Sequence, residues 1–173
     1  MTPDMPARGT DATIITEPLD GVLDPLGFTP RLIALLASGL MWRESQELRR
    51  RFGLGTNEWR VISAVGAQPG SSSIDVAEVL ALNRGIVSRS VSVLRDRGLV
   101  VLDEGPRGSR PLFLTVEGAR IHDMMKPISV RGEEVILEGM SAAEIERFNE
   151  TLLGMIERVR ALQKSEGTDA EAL

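Results

Sequence analysis

The stretch that most constrains the fold is Ser71 to Val100, SSSIDVAEVLALNRGIVSRSVSVLRDRGLV. It holds two short helical patterns with too little between them for a strand or a flexible loop. In the first, Ile74, Val76, Ala77, Val79 and Leu80 are apolar at helical spacing, and Ser72 or Ser73 can cap the free amides, with an end near Ala81. In the second, Val87, Val91 and Leu94 fall at i, i+4 and i+7 as one inward stripe, and Gly98 stops the helix after Arg97. That stripe turns Gly85, Ile86, Arg89, Ser92 and Val93 outward, with Arg84 and Arg95 alongside. A helix facing only water would carry Glu and Lys there. This face suits another polymer: two helices joined by a tight turn, with Arg and Ser near the start of the second, are the pattern of a helix-turn-helix that enters the DNA major groove. A plain helical hairpin inside a core is the competing reading.

Downstream, Leu99–Leu102 is apolar and β-prone, residues 103–109 (DEGPRGS) are turn-rich, and Pro111–Leu114 is apolar again, which reads as a hairpin wing. Leu114-Thr115-Val116-Glu117-Gly118 then opens a long helix. The expected fold class is mainly α with a small β-hairpin wing. Together with Phe52-Gly53-Leu54 and Glu58-Trp59-Arg60-Val61 before the motif, and Val87-Ser88-Arg89, Leu94 and Arg97-Gly98-Leu99-Val100 inside it, this order resembles the MarR (multiple antibiotic resistance regulator) family over about residues 30–162. The resemblance implies a winged helix-turn-helix with N- and C-terminal dimerisation helices, acting as a sequence-specific transcriptional regulator.

Composition narrows the chemistry. Among 173 residues there is no cysteine, which removes thiolate catalysis, Cys-based zinc sites and cysteine-oxidation sensing, and His122 is the one histidine. No Gly-rich phosphate loop, metal spacing or paired acid and base is visible, so neither an enzyme nor a cofactor is expected. No secretory leader and no run of about 18 apolar residues appears, so the expected location is the cytoplasm, near the nucleoid. The net charge of −5 is uneven: residues 1–28 hold Asp4, Asp11, Glu17, Asp20 and Asp24 against Arg8, whereas residues 83–110 hold six arginines against three acids. A local basic patch is what phosphate binding needs.

The expected organisation is an N-terminal arm over residues 1–28, dimerisation helices over 29–52 and 119–164, a DNA-binding domain over 53–118 and a disordered tail over 165–173. The first helix starts at Thr29-Pro30 and runs to Phe52 with a wide apolar face; Arg49, Arg50 and Arg51 at its end suit the helix dipole better than a phosphate. Thr56 is expected to cap the next helix, Trp59 to fill core, and Gln68-Pro69-Gly70 to end it. The long helix from Thr115 continues past Pro127 with a kink and closes at Glu138-Gly139. Ser141 and Glu144 form a capping box, after which Ile145, Phe148, Leu152, Met155, Val159 and Leu162 recur at steps of three and four, a seam seeking partner helices. With Leu32 and Leu36 of the first helix they are the candidate dimer residues; intramolecular packing of three helices is the alternative.

Candidate DNA-contacting residues are Ser73, Arg84, Gly85, Ile86, Ser88, Arg89 and Ser92, with Arg107 and Arg110 in the wing. Arg89 leads for base or phosphate contact, Ile86 for a thymine methyl and Gly85 for close backbone approach. Members of the resembled family often carry a wing arginine seven residues before the threonine of the Leu-Thr-x-x-Gly string; here that position is Gly108, flanked by Arg107 and Arg110. By resemblance alone, a small aromatic or phenolic acid effector would bind among Ser38, Met41, Trp42, Arg60, His122 and Met125, with Arg60 or His122 for its carboxylate. The expected partners are double-stranded DNA, a second copy of the chain and such an effector, without a membrane. A winged-helix dimer that binds DNA architecturally, or another protein, is the rival reading.

Overall fold

The computed structural model describes residues 15–24, 26–105 and 109–166. These fall into two units that divide between Ala37 and Ser38. In the first unit, Ile15, Leu19, Val22, Leu23 and Leu26 are exposed, as are Leu32 and Leu36 at the start of α1 (Thr29–Phe52). All other elements lie in the second unit: α2 (Thr56–Ala67), α3 (Ser73–Leu80), α4 (Arg84–Asp96), β1 (Val100–Leu102), β2 (Leu112–Leu114), α5 (Val116–Ile136) and α6 (Ala142–Ser165).

The core of this unit is built by α2, α4 and the hairpin. Val61, Ile62 and Val65 of α2, Val87, Val91 and Leu94 of α4, and Val100 and Leu112 of the strands are buried, together with Leu48, Met125 and Ile128 from the flanking helices. Each such side chain contributes about 1.5–3 kcal/mol by leaving water. The inward stripe of α4 is therefore the predicted one, and Trp59 is buried as its place in α2 requires. On α3 only Val76 and Ala77 are buried. Ile74 and Val79, apolar at helical spacing, are 55% and 58% exposed; eight residues give room for one narrow inward stripe, and these two fall outside it.

Helix ends account for much of the local sequence. Ser72, not Ser73, caps α3: its hydroxyl accepts from Asp75 N, and the Asp75 carboxylate accepts from Ser72 N in return. Thr56 does not cap α2, whose N-cap is Gly55; Glu58 accepts from Gly55 N, and the buried Thr56 hydroxyl donates to the Met41 carbonyl. Thr115 caps α5 by accepting from Gly118 N, while donating to the Gly98 carbonyl. At Gly118 an added Cβ would overlap the Leu99 carbonyl oxygen, which also accepts from Thr115 N. The Leu-Thr-x-x-Gly string is thus a joint that seats α5 against the start of the hairpin.

The hairpin pairs Val100 with Leu114, Val101 with Phe113 and Leu102 with Leu112, antiparallel. Its ladder continues through Asp103 N to Pro111 O and Gly105 N to Ser109 O. On the other edge of β2, Leu112 exchanges hydrogen bonds with Gly70 and Ser71, so Gly70, at φ +89°, does more than end α2. Pro127 lies inside α5, and close by Arg43 donates to the Ile128 carbonyl while Ser129 donates to Glu44, fastening the second half of α1 to α5. Gly139, at φ +84°, lies beyond the end of α5, and Ser141 with Glu144 caps α6 reciprocally as predicted. No residue of α6 is buried.

Candidate nucleic-acid interface

The two helices of the central motif are joined by Ala81, Leu82 and Asn83. Ala81 N bonds to Glu78 O and Leu82 N to Ala77 O, the reciprocal pair that ends a helix on a left-handed residue. Here that residue is alanine, at φ 48° and ψ 47°, a conformation costing about 1–2 kcal/mol for a residue with a Cβ. The far end of α4 uses the same device on Gly98, at φ +69°, with Gly98 N to Arg95 O and Leu99 N to Leu94 O. Asn83 opens α4 by accepting from Gly85 N. A Cβ on Gly85 would stand 3.0 Å from that Asn83 oxygen, so the glycine serves the cap as well as any approach to a ligand.

The face of α4 opposite the core presents Arg84, Gly85, Ser88, Arg89 and Val93, all exposed, with Ile86 and Ser92 half-buried beside them. Ser90 faces inward and donates to Glu58 Oε1 at 2.8 Å, pinning α4 to the start of α2. Ser73 is half-buried in the first turn of α3. In the wing Arg110 is exposed, and Arg107 lies outside the described residues. The basic count across the motif is partly spent internally. Arg97 donates to the Phe52 and Gly53 carbonyls, closing the end of α1, and Arg95 pairs with Asp96 at 3.1 Å. Arg89 and Arg110 stand exposed on the α4 and wing surface.

The six residues expected around an effector are engaged in different ways. Ser38 is exposed, as is Met41. Arg60 spends its guanidinium on the Leu80 carbonyl at 2.6 Å; burial pulls its pKa below the ordinary arginine value, with Glu44 opposing that shift. His122 stacks on Trp59 with ring centroids 5.2 Å apart and meets Asp123 at 3.0 Å. Met125 is fully buried in the core rather than standing on an open wall. Trp42 lines a groove of about 490 Å³, formed between α1 and α5 by Trp42, Arg43, Gln46, Glu47, Arg51, Pro127, Ile128 and Arg131. Its rim holds three arginines and Glu47, whose carboxyl Arg50 holds below its usual value; Arg131 pairs with Glu134 at 3.0 Å and Arg43 donates to the Ile128 carbonyl. Among the described residues no group of His, Asp and Glu stands where it can hold a metal ion.

The model of the MarR family matches residues 52–110, from the end of α1 into the wing at Arg110. Over that segment the chain is similar to the MarR family. The match covers the helix-turn-helix and β1 and stops before β2. No curated protein matches the sequence. Solved structures extend the likeness in fold to the flanking helices. A MarR/EmrR family transcriptional regulator from Acinetobacter sp. ADP1 superposes with a TM-score of 0.74 at 23% identity, covering 80% of this chain and 99% of that one. A putative MarR family regulator from Listeria monocytogenes, solved with a 26mer DNA, gives 0.73 at 20% identity, covering 82% and 97%. The PcaV transcriptional regulator of Streptomyces coelicolor, in complex with its natural ligand, gives 0.66 at 24% identity, covering 79% and 96%.

In a helix-turn-helix, the supports of the recognition helix matter as much as its exposed face. Ser90, Glu58, Arg97 and the bond from Arg60 to Leu80 escaped the sequence reading. A serine on the inward side of α4, three positions after Val87, is the one local signal among them. The others join residues 20 to 45 positions apart and leave no periodic trace. Among the described residues, no helix is long and apolar enough to cross a membrane.

Proposed function

We propose that the chain is a repressor that binds a pseudo-palindromic DNA site as a homodimer and is released by a small anionic effector. The observation that carries the reading is the division of labour on α4. Its inner face is sealed into the core by Val87, Ser90, Val91 and Leu94, while its outer face offers Arg84, Gly85, Ser88 and Arg89 at the helix start, where a recognition helix meets base edges. Arg89 reads a base or grips a phosphate, Arg84 and the serines hold phosphates, and Arg110, with Arg107, reaches the minor groove.

One recognition helix spans few base pairs, so selective binding calls for two, about one helical turn apart. The uncovered stripe on α6 supports a second copy as the source: Phe148, Val159 and Leu162 are 37%, 54% and 55% exposed, and Ile145, Leu152 and Met155 half-buried. Leu32 and Leu36 of α1 would join that interface.

For the effector, the groove between α1 and α5, lined by Trp42 of the six candidates, fits an aromatic acid. Trp42, 69% exposed, offers a stacking face, and Arg43, Arg51 and Arg131 offer the charge. The ligand would act by preferring one spacing of the two recognition helices over another. The PcaV complex supports a ligand-responsive member of this fold, and the Listeria complex supports DNA as a target.

The experiment is selection of bound sequences from random duplex, then titration against salt. A repressor gives one palindromic site bound far more tightly than random DNA, and both lose affinity steeply as salt rises. Equal affinity for every duplex identifies an architectural protein, and no binding at low salt a protein-binding dimer. Screening small aromatic acids for release of the selected site tests the last part.

A further inference from the structure

The turn between α3 and α4 has three residues, so the direction in which α4 leaves is set by very few dihedral angles. One of them is strained, because Ala81 holds the left-handed conformation without being glycine. The helix-ending bonds of that turn use the carbonyls of Ala77 and Glu78 and leave the carbonyl of Leu80 with no donor from its own segment. Arg60, from α2, fills that vacancy at 2.6 Å, a charge-assisted bond placed immediately before the strained residue. Glu44 exerts a Coulombic pull on Arg60, yet its carboxylate accepts from Ser129, and among the described residues no ion pair engages Arg60.

We propose that Arg60 is the positioning residue of the recognition helix, a latch whose bond to the Leu80 carbonyl keeps the Ala81 turn left-handed and so fixes the direction of α4. The inference rests on the DNA-binding reading above for its consequence, but the latch itself is a property of the free protein. Arg60 here touches no DNA; it acts through the turn.

The test uses Arg60→Gln, Ala81→Gly and their combination in the full chain. With Arg60→Gln, affinity for the selected site falls about ten- to a hundredfold, the range of one hydrogen bond to a charged group, and the amides of Ala81, Leu82 and Ile86 exchange faster without DNA. The salt slope stays that of the parent, because no phosphate contact has gone. Ala81→Gly relieves the left-handed strain, so it restores most of the lost affinity in the double variant and changes little alone. Should Arg60→Gln fail to fold, Arg60→Lys, which keeps the charge and a donor, shows the same changes in smaller measure. The proposal is overturned by unchanged amide exchange, or by a salt slope reduced by about one, which would place Arg60 on a phosphate. It is also overturned by a double variant no better than Arg60→Gln. A parent that binds no duplex sinks the DNA reading, and the exchange data then decide the latch alone.

Discussion

The winged-helix lobe and α6 are opposites in how they meet water. From Leu48 to Ile128 the chain closes sixteen buried apolar side chains into one core, whereas α6, twenty-four residues long, buries none. Yet α6 is the better written helix of the two regions, with a reciprocal cap at Ser141 and an unbroken stripe at steps of three and four. Local quality and burial are separate properties: a helix can be fully specified by its own sequence and still lack the surface that would stabilise it.

Breaking each region separately sharpens that contrast. The largest effect is expected from Phe148→Glu with Leu152→Glu, which should cost about 4 kcal/mol of association, near a thousandfold in dimer Kd, and leave the unfolding of the lobe unchanged. Sedimentation and thermal melts read the two parts, and a dimer that survives would mean that the stripe packs elsewhere. Gly118→Ala is the mirror experiment. Its methyl meets the Leu99 backbone rather than a movable side chain, so the lobe should lose about 3 kcal/mol in urea unfolding while α6 is untouched. A loss under about 1 kcal/mol would show that the joint yields.

Function gives the middle of the range. Arg89→Ala should lower selective DNA binding by about 1–3 kcal/mol with no change in dimerisation, and full affinity in that variant would remove Arg89 from the reading face. Smaller still, Ser141→Ala should weaken α6 by about 1 kcal/mol, measured as a weaker dimer rather than a less stable lobe. The smallest effect is a pH dependence. Asp75 and Glu144 both sit in caps whose serine holds the carboxyl below its ordinary value, 3.8 for Asp75 and 4.5 for Glu144. Each stabilises the folded form above that value and loses its contribution as pH falls through the lowered one. Acid titration should therefore loosen α3 through Asp75 and α6 through Glu144; Asp75→Asn and Glu144→Gln should each flatten one limb.

Element order and the inward stripe of α4 were legible because helical and strand periods repeat over enough residues to be unambiguous. Gly98 was legible as a stop because left-handed backbone favours glycine; Ala81, doing the same work, carried no such mark. Ile74 and Val79 misled because apolar spacing predicts a face only when the helix is long enough to press it on something. The burial of the candidate effector residues was illegible for a related reason. Met125 and Trp42 are equally apolar on paper, and only the rotation of α5 and α1 about their axes sends one into the core and the other into a groove. The bonds of Arg60 and Arg97 were missed because backbone carbonyls, their partners, are invisible in a list of side chains.

The Leu99 carbonyl carries one more consequence. It receives the Thr115 amide and lies where a side chain on Gly118 would have to go, so the root of the wing and the root of the longest interior rod are a single hinge-free elbow. Any tilt of that rod is therefore handed to the paired strands β1 and β2 at its root.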